Sequence, residues 1–171
     1  MRRRVKGILL VALAAMTFSL FPGKVLPAGK SPIAVIVSSR SDLPEVMDLT
    51  DLKLLFLGKK SEVRGVILEP VNRRMGTPVR VGFDRSLLGM DRHEVKRYWL
   101  MEQLKGGPRP FREFGLAASL VSYLSARKRA ISYAGLEELT PELKRRVRVV
   151  KIRLPGGEVV GPGDSGYPLT Y

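Results

Sequence analysis

Ten consecutive residues, Val71-Asn72-Arg73-Arg74-Met75-Gly76-Thr77-Pro78-Val79-Arg80, carry types and spacing that can hold an anion. A strand over residues 66–71 runs into two arginines and a glycine, then Thr77 stands as helix N-cap with Pro78 at the first helical position. A threonine hydroxyl there accepts a bond from an otherwise unpaired backbone N–H. Proline at the first turn gives up only an N–H that had no helical partner. The remaining N–H groups and the positive end of the helix dipole face outward, where a phosphate-like oxyanion can sit. Arg73, Arg74 and Arg80 can add charge-assisted, bidentate bonds to it. The plainer alternative is a well-capped helix with solvated arginines that binds nothing.

Other chemistry is sparse. His93 is the only histidine and the chain has no cysteine, which rules out thiolate metal sites, disulfides and a Cys/His nucleophile. His93 has no acidic cluster at ligand spacing and reads as a surface residue at a helix start. There is no G-x-S-x-G elbow, and Gly58-Lys59-Lys60-Ser61 lacks the upstream glycine of a P-loop. Asp48 and Asp51 read as capping or solvated groups rather than paired catalytic carboxylates. Trp99 and Tyr98 read as helix packing. No catalytic machinery is visible, and neither a metal nor another cofactor is expected.

The first 28 residues read as a targeting segment. Arg2, Arg3, Arg4 and Lys6 form a basic start, residues 8–21 an apolar run, and Val25-Leu26-Pro27-Ala28 a cleavage region. The run is short for a bilayer span, which takes about 20 residues. An uncleaved anchor is the alternative, because Leu26 is not the small residue preferred before a cut. Export to the periplasm follows. Five of the 30 Lys+Arg residues lie in this segment, so residues 29–171 hold 25 basic against 16 acidic side chains, a net charge of +9. That charge favours anionic partners: a phosphate-type ligand, lipid head groups or nucleic acid. Export argues against nucleic acid, and no nucleic-acid-binding signature is present.

The elements that must position the anion loop are those of one domain over residues 29–171. Residues 33–37 form an apolar, β-branched run that suits a strand buried on both faces. Thr50 can cap a short helix that Gly58 ends. After the strand over 66–71, the capped helix spans 78–88, and Asp91 with Glu94 opens another as a capping box. Further helices are expected over 116–128 and after Thr140, and strands over 130–133 and 147–154, followed by an irregular Gly/Pro-rich tail. Strands alternating with helices point to an α/β domain with a mixed sheet.

Several of these segments, in order, resemble the phosphate-binding (PstS-like) proteins of ABC uptake systems. Leu52-Lys53-Leu54-Leu55-Phe56-Leu57-Gly58-Lys59 is similar to that family's l-x-x-i-F-l-G-k segment. Its following strand, arginine, Ser-Gly-Thr helix start and phenylalanine correspond to Val71, Arg73, Met75-Gly76-Thr77 and Phe83. Trp99 matches an aromatic position, Ala130-Ile131-Ser132-Tyr133 resembles "a-I-G-Y", and Gly166-Tyr167-Pro168-Leu169-Thr170 resembles "Y-P-L-t". Met75 replaces the serine and Ser132 the glycine of those patterns. The resemblance implies a type II periplasmic-binding-protein-like fold, present as a single lobe with a mixed sheet flanked by helices. It implies that Arg73 contacts the ligand and that Gly76 and Thr77 supply backbone N–H and hydroxyl donors; Arg74 and Arg80 are added on electrostatic grounds. Full-length relatives close two lobes on the ligand, and this chain offers one wall of such a cleft.

Two functions are therefore in view. One is a periplasmic protein that binds phosphate or a similar small oxyanion, without enzymatic activity and with a membrane permease as a further partner. The other is an interaction or sensory module that kept the fold, lost the ligand and docks on a membrane transporter or sensor.

Overall fold

The computed structural model describes residues 30–171, and the targeting segment read over residues 1–28 lies outside the described residues. The strands are β1 (Ile33–Ser38), β2 (Val46–Asp48), β3 (Glu62–Val63), β4 (Val66–Ile67), β5 (Glu69–Pro70), β6 (Asn72–Arg73), β7 (Glu113–Phe114), β8 (Ala130–Gly135), β9 (Val147–Arg153) and β10 (Val159–Val160). The helices are α1 (Leu49–Phe56), α2 (Pro78–Phe83), α3 (Arg92–Leu104), α4 (Ala117–Ser125) and α5 (Pro141–Arg146). The main sheet runs β10-β9-β1-β8-β5, with β2 parallel to β9 off that path. It is mixed: β1 pairs antiparallel with β8 and β9, whereas β5 is parallel to β8.

The apolar run of β1 serves two cores. Ile33, Val35 and Val37 face one side with α1 and α2, whereas Ala34 and Ile36 face the other with α4. All six residues of the strand are buried, as expected for a central strand covered on both faces. In the first core Phe83 stacks on Tyr133, with ring centroids 3.5 Å apart, and Phe56 meets both rings edge-on. The sheet and its flanking helices make the α/β architecture that the alternating pattern predicts.

Four local expectations are corrected. Helix α1 starts at Leu49 with Asp48, not Thr50, at the N-cap. The strand expected over 66–71 is divided. Arg64 and Gly65, both at positive φ, turn β4 back onto β3, which is the backbone twist a tight hairpin needs. Pro70 then ends β5. The helix expected over 78–88 is α-helical only to Phe83 and continues as a π-turn over Asp84–Leu88, closed by Gly89 at φ 72°. The tail is mostly irregular, yet it supplies β10 and docks on the start of the domain. Ile33 N–H donates to Leu169 O at 2.9 Å, Tyr167 Oη donates to Ile33 O at 2.7 Å, and Ser31 and Tyr171 exchange backbone bonds.

Helix α3 opens as the sequence indicates. Asp91 Oδ1 accepts from the His93 and Glu94 N–H groups, and Glu94 Oε2 accepts from Asp91 N–H. Asp91→Ala should cost about 1 kcal/mol, the usual loss of such a cap, read as a lowered midpoint in urea unfolding. No helix among the described residues is long and apolar enough to cross a membrane.

Candidate functional site

The anion loop is placed by β6 and β7, which run parallel with Asn72 opposite Glu113 and Arg73 opposite Phe114. Arg74 N–H donates to Phe114 O at 2.8 Å, and the chain then turns over residues 74–77 with Thr77 N–H donating to Arg74 O at 3.2 Å. Gly76 holds φ 90° at the third turn position, where a side chain would be strained. Thr77 has N-cap backbone geometry, but its hydroxyl donates backwards to Arg74 O at 2.9 Å and accepts no helix N–H. The hydroxyl cap expected at Thr77 is therefore corrected: the side chain turns back onto Arg74 O instead of reaching the N–H groups of the first helical turn.

The arginines divide. Arg73, 2% exposed, donates to both Glu138 carboxylate oxygens at 2.6 and 2.9 Å and to Gly115 O at 3.0 Å. Arg80, equally buried, donates through Nε to both Asp84 oxygens at 2.9 and 2.7 Å and through Nη1 to Arg73 O at 3.1 Å. Burial pushes the Asp84 carboxyl above its usual range, against the opposing pull of Arg80. Tyr133, fully buried, donates to Asn72 Oδ1 at 3.1 Å, and burial raises its hydroxyl well above the usual phenol range. Arg74 is exposed with its guanidinium over Gly115, and the Arg92 guanidinium lies over Gly76.

A concavity of about 240 Å³ opens beside this network, lined by Asn72, Met75, Arg80, Lys96, Trp99, Leu100, Gln103, Pro110 and Glu113. Glu113 Oε2 accepts from Met75 N–H at 3.2 Å and Glu113 Oε1 accepts from Arg80 Nη1 at 3.3 Å. A carboxylate is thus held by a backbone N–H and a guanidinium, the donor pair expected for an external oxyanion. Of the five residues singled out, Arg80 reaches the concavity, Gly76, Thr77 and Arg74 form the adjoining turn, and Arg73 is closed in behind by Glu138.

Sequence reading missed the acids. Asp84 stands four residues after Arg80, an ion-pair spacing on a helix that was open to inspection. Glu113 and Glu138 come from distant segments and carried no local signal. Lys96 belongs to the wet side of α3. His93 is exposed, and no metal-binding cluster of His, Cys, Asp or Glu occurs among the described residues. Trp99 packs edge-on against Tyr98 and Phe111 while also walling the concavity.

No protein-family model matches the sequence, and no curated protein matches it. Solved structures do resemble the fold. A possible phosphate-binding protein of Planctomyces limnophilus aligns with a TM-score of 0.59 at 12% identity, over 82% of this chain and 50% of its own. PstS of Borrelia burgdorferi gives 0.58 at 12% identity, over 82% and 55%. A possible phosphate ABC transporter substrate-binding protein of Clostridium perfringens, with bound phosphate, gives 0.54 at 16% identity, over 72% and 45%. The chain spans about half the length of these structures, and the likeness establishes the fold: an α/β, periplasmic-binding-protein-like arrangement with a mixed sheet flanked by helices.

Proposed function

We propose that the chain is an exported, non-enzymatic binding protein of the phosphate-uptake type that takes phosphate or a similar small oxyanion beside the 74–77 turn. The observation that carries this reading is the Glu113 carboxylate seated on Met75 N–H and Arg80 Nη1. An incoming anion would take that seat as Glu113, about one-third exposed, swings outward. Arg80 and the Met75 N–H are then the inner donors, Gly76, Thr77 and Arg74 the outer turn, and Lys96 the facing cation. Arg73 supports the turn from behind through Glu138 and Gly115 O. The fold neighbours add support, since one is described with bound phosphate.

The local charge sets the expected strength. Arg73 and Arg80 face Glu138, Asp84 and Glu113, so the network carries one net negative charge before the rim cations count. Binding should accordingly be weak in the native chain. Glu113→Gln removes a competing and repelling charge and should tighten phosphate binding about tenfold, or 1.4 kcal/mol. Titration calorimetry with phosphate and sulfate reads this directly. Absence of heat at millimolar phosphate in both proteins would end the proposal.

A second reading has its own observation. Leu100 and Leu104, 58% and 72% exposed, stand one helical turn apart on α3, and Leu100 lines the concavity. With both buried arginines already neutralised, this face suits a protein partner such as a membrane transporter or sensor. Recovery of a membrane protein on the native chain but not on a Leu100→Asp/Leu104→Asp variant would favour it.

A further inference from the structure

Cations from three separate segments gather at the end of the main sheet where β1 stops and β8 and β9 begin. Arg40, just past β1, donates through Nη2 to Ser125 O at 2.6 Å. Arg146, just before β9, donates to Ser125 Oγ at 2.9 Å and Ser122 Oγ at 3.3 Å, so two guanidinium groups meet on the last residue of α4. Arg148 donates to Leu43 O at 2.6 Å in the loop after β1. Lys144 and Arg145 stand exposed in the last turn of α5, and Lys128 stands exposed before β8.

Carboxylates do not balance this cluster. Lys128 lies 3.8 Å from the highly exposed Asp42, and among the described residues no carboxylate pairs with Arg40, Lys144, Arg145, Arg146 or Arg148. The carboxyl end of α4 presents about half a negative charge. That offsets about half of one cation and leaves several in excess. Holding like charges together is unfavourable unless an anion covers them.

We propose that this end of the domain docks on the surface of an anionic phospholipid bilayer. The cations sit on long stems from three segments, which suits a two-dimensional field of head-group phosphates, where each adds to the attraction. A single small anion calls instead for an enclosed concavity. Nucleic acid fits less well. α5 has six residues, too short to read a groove, and the Tyr123 ring, a potential stacking surface, is already covered by Arg112 and Arg127. The surface is independent of the oxyanion turn, which lies further along β8, beyond the Val71 N–H bond to Ile131 O.

The test uses the full chain and vesicles of phosphatidylcholine containing about one-third phosphatidylglycerol, with pure phosphatidylcholine for comparison. Lys128→Gln/Lys144→Gln/Arg145→Gln should lower binding to the anionic vesicles at least tenfold. Lys30→Gln/Arg85→Gln/Arg153→Gln, with the same charge loss at the other end of the sheet, should bind as the native chain does. Because the chain has no cysteine, a nitroxide at Ala126→Cys or Gly156→Cys reports orientation cleanly. On anionic vesicles the Ala126 label should be shielded from an aqueous relaxant and the Gly156 label should not. Raising salt to about 0.5 M should release that shielding. Equal binding by the two triple variants, two equally exposed labels, or a label shielded only by added DNA would overturn the proposal.

Discussion

Arg80→Met should destabilise the domain by about 3–5 kcal/mol at neutral pH, the cost of breaking a buried pair and leaving one charge behind. The partner left behind is Asp84, 4% exposed, which would also lose both bonds from Arg80 Nε. The sign of the pH dependence follows from the same burial. Asp84 already lies above its ordinary range, and loss of the guanidinium raises it further. A carboxyl that keeps its proton in the fold but releases it in the unfolded chain favours the fold at low pH. That contribution is complete below the unfolded value of about 3.9 and is lost as pH rises through the folded value. The variant should therefore lose least near pH 4 and most at pH 7 and above. Denaturant unfolding across this range measures it, and Asp84→Leu added to Arg80→Met should restore most of the loss at pH 7. A loss that is flat with pH would place the damage elsewhere.

Gly82→Ala should be the second large effect, and it concerns the tail rather than the site. Tyr171 lies directly on Gly82: an added Cβ would overlap the Tyr171 Cβ and stand 2.6 Å from its Cα and 2.7 Å from Thr170 O. Backbone cannot yield cheaply there, so the tail must lift, taking with it the bonds between Ser31 and Tyr171. A loss of about 2–3 kcal/mol is expected, as for overpacking. Carboxypeptidase should release the last residues faster, and the melting temperature should fall. Gly156→Ala is the control, since nothing lies within 4 Å of a Cβ at that position. An unchanged melting temperature in Gly82→Ala would mean that the tail does not fasten the domain.

Elements whose information is local were legible in the sequence. The β1 run, the Asp91–Glu94 box, the Thr140 cap and the Gly58 stop each reflect residues within a few positions of one another, and each lies where the sequence puts it. The 66–71 strand failed because its periodicity could not show the Arg64-Gly65 hairpin competing for the same residues. The tail looked irregular because its order comes from Ser31, Ile33 and Gly82, more than 80 positions away.

The candidate site divides along the same line. The sequence by itself determined a basic chain with an arginine-rich turn, a glycine where positive φ is needed, and an α/β pattern around it. Only the tertiary structure decided which arginine borders the concavity. Arg73 and Arg80 are seven residues apart and chemically alike, yet Glu138 closes one away while the other borders a concavity and is met there by Glu113. Those acids arrive through the β6–β7 pairing and the end of β8. Charge balance inside a fold is therefore a property of the packed structure, whereas the propensity to turn or to cap is written locally.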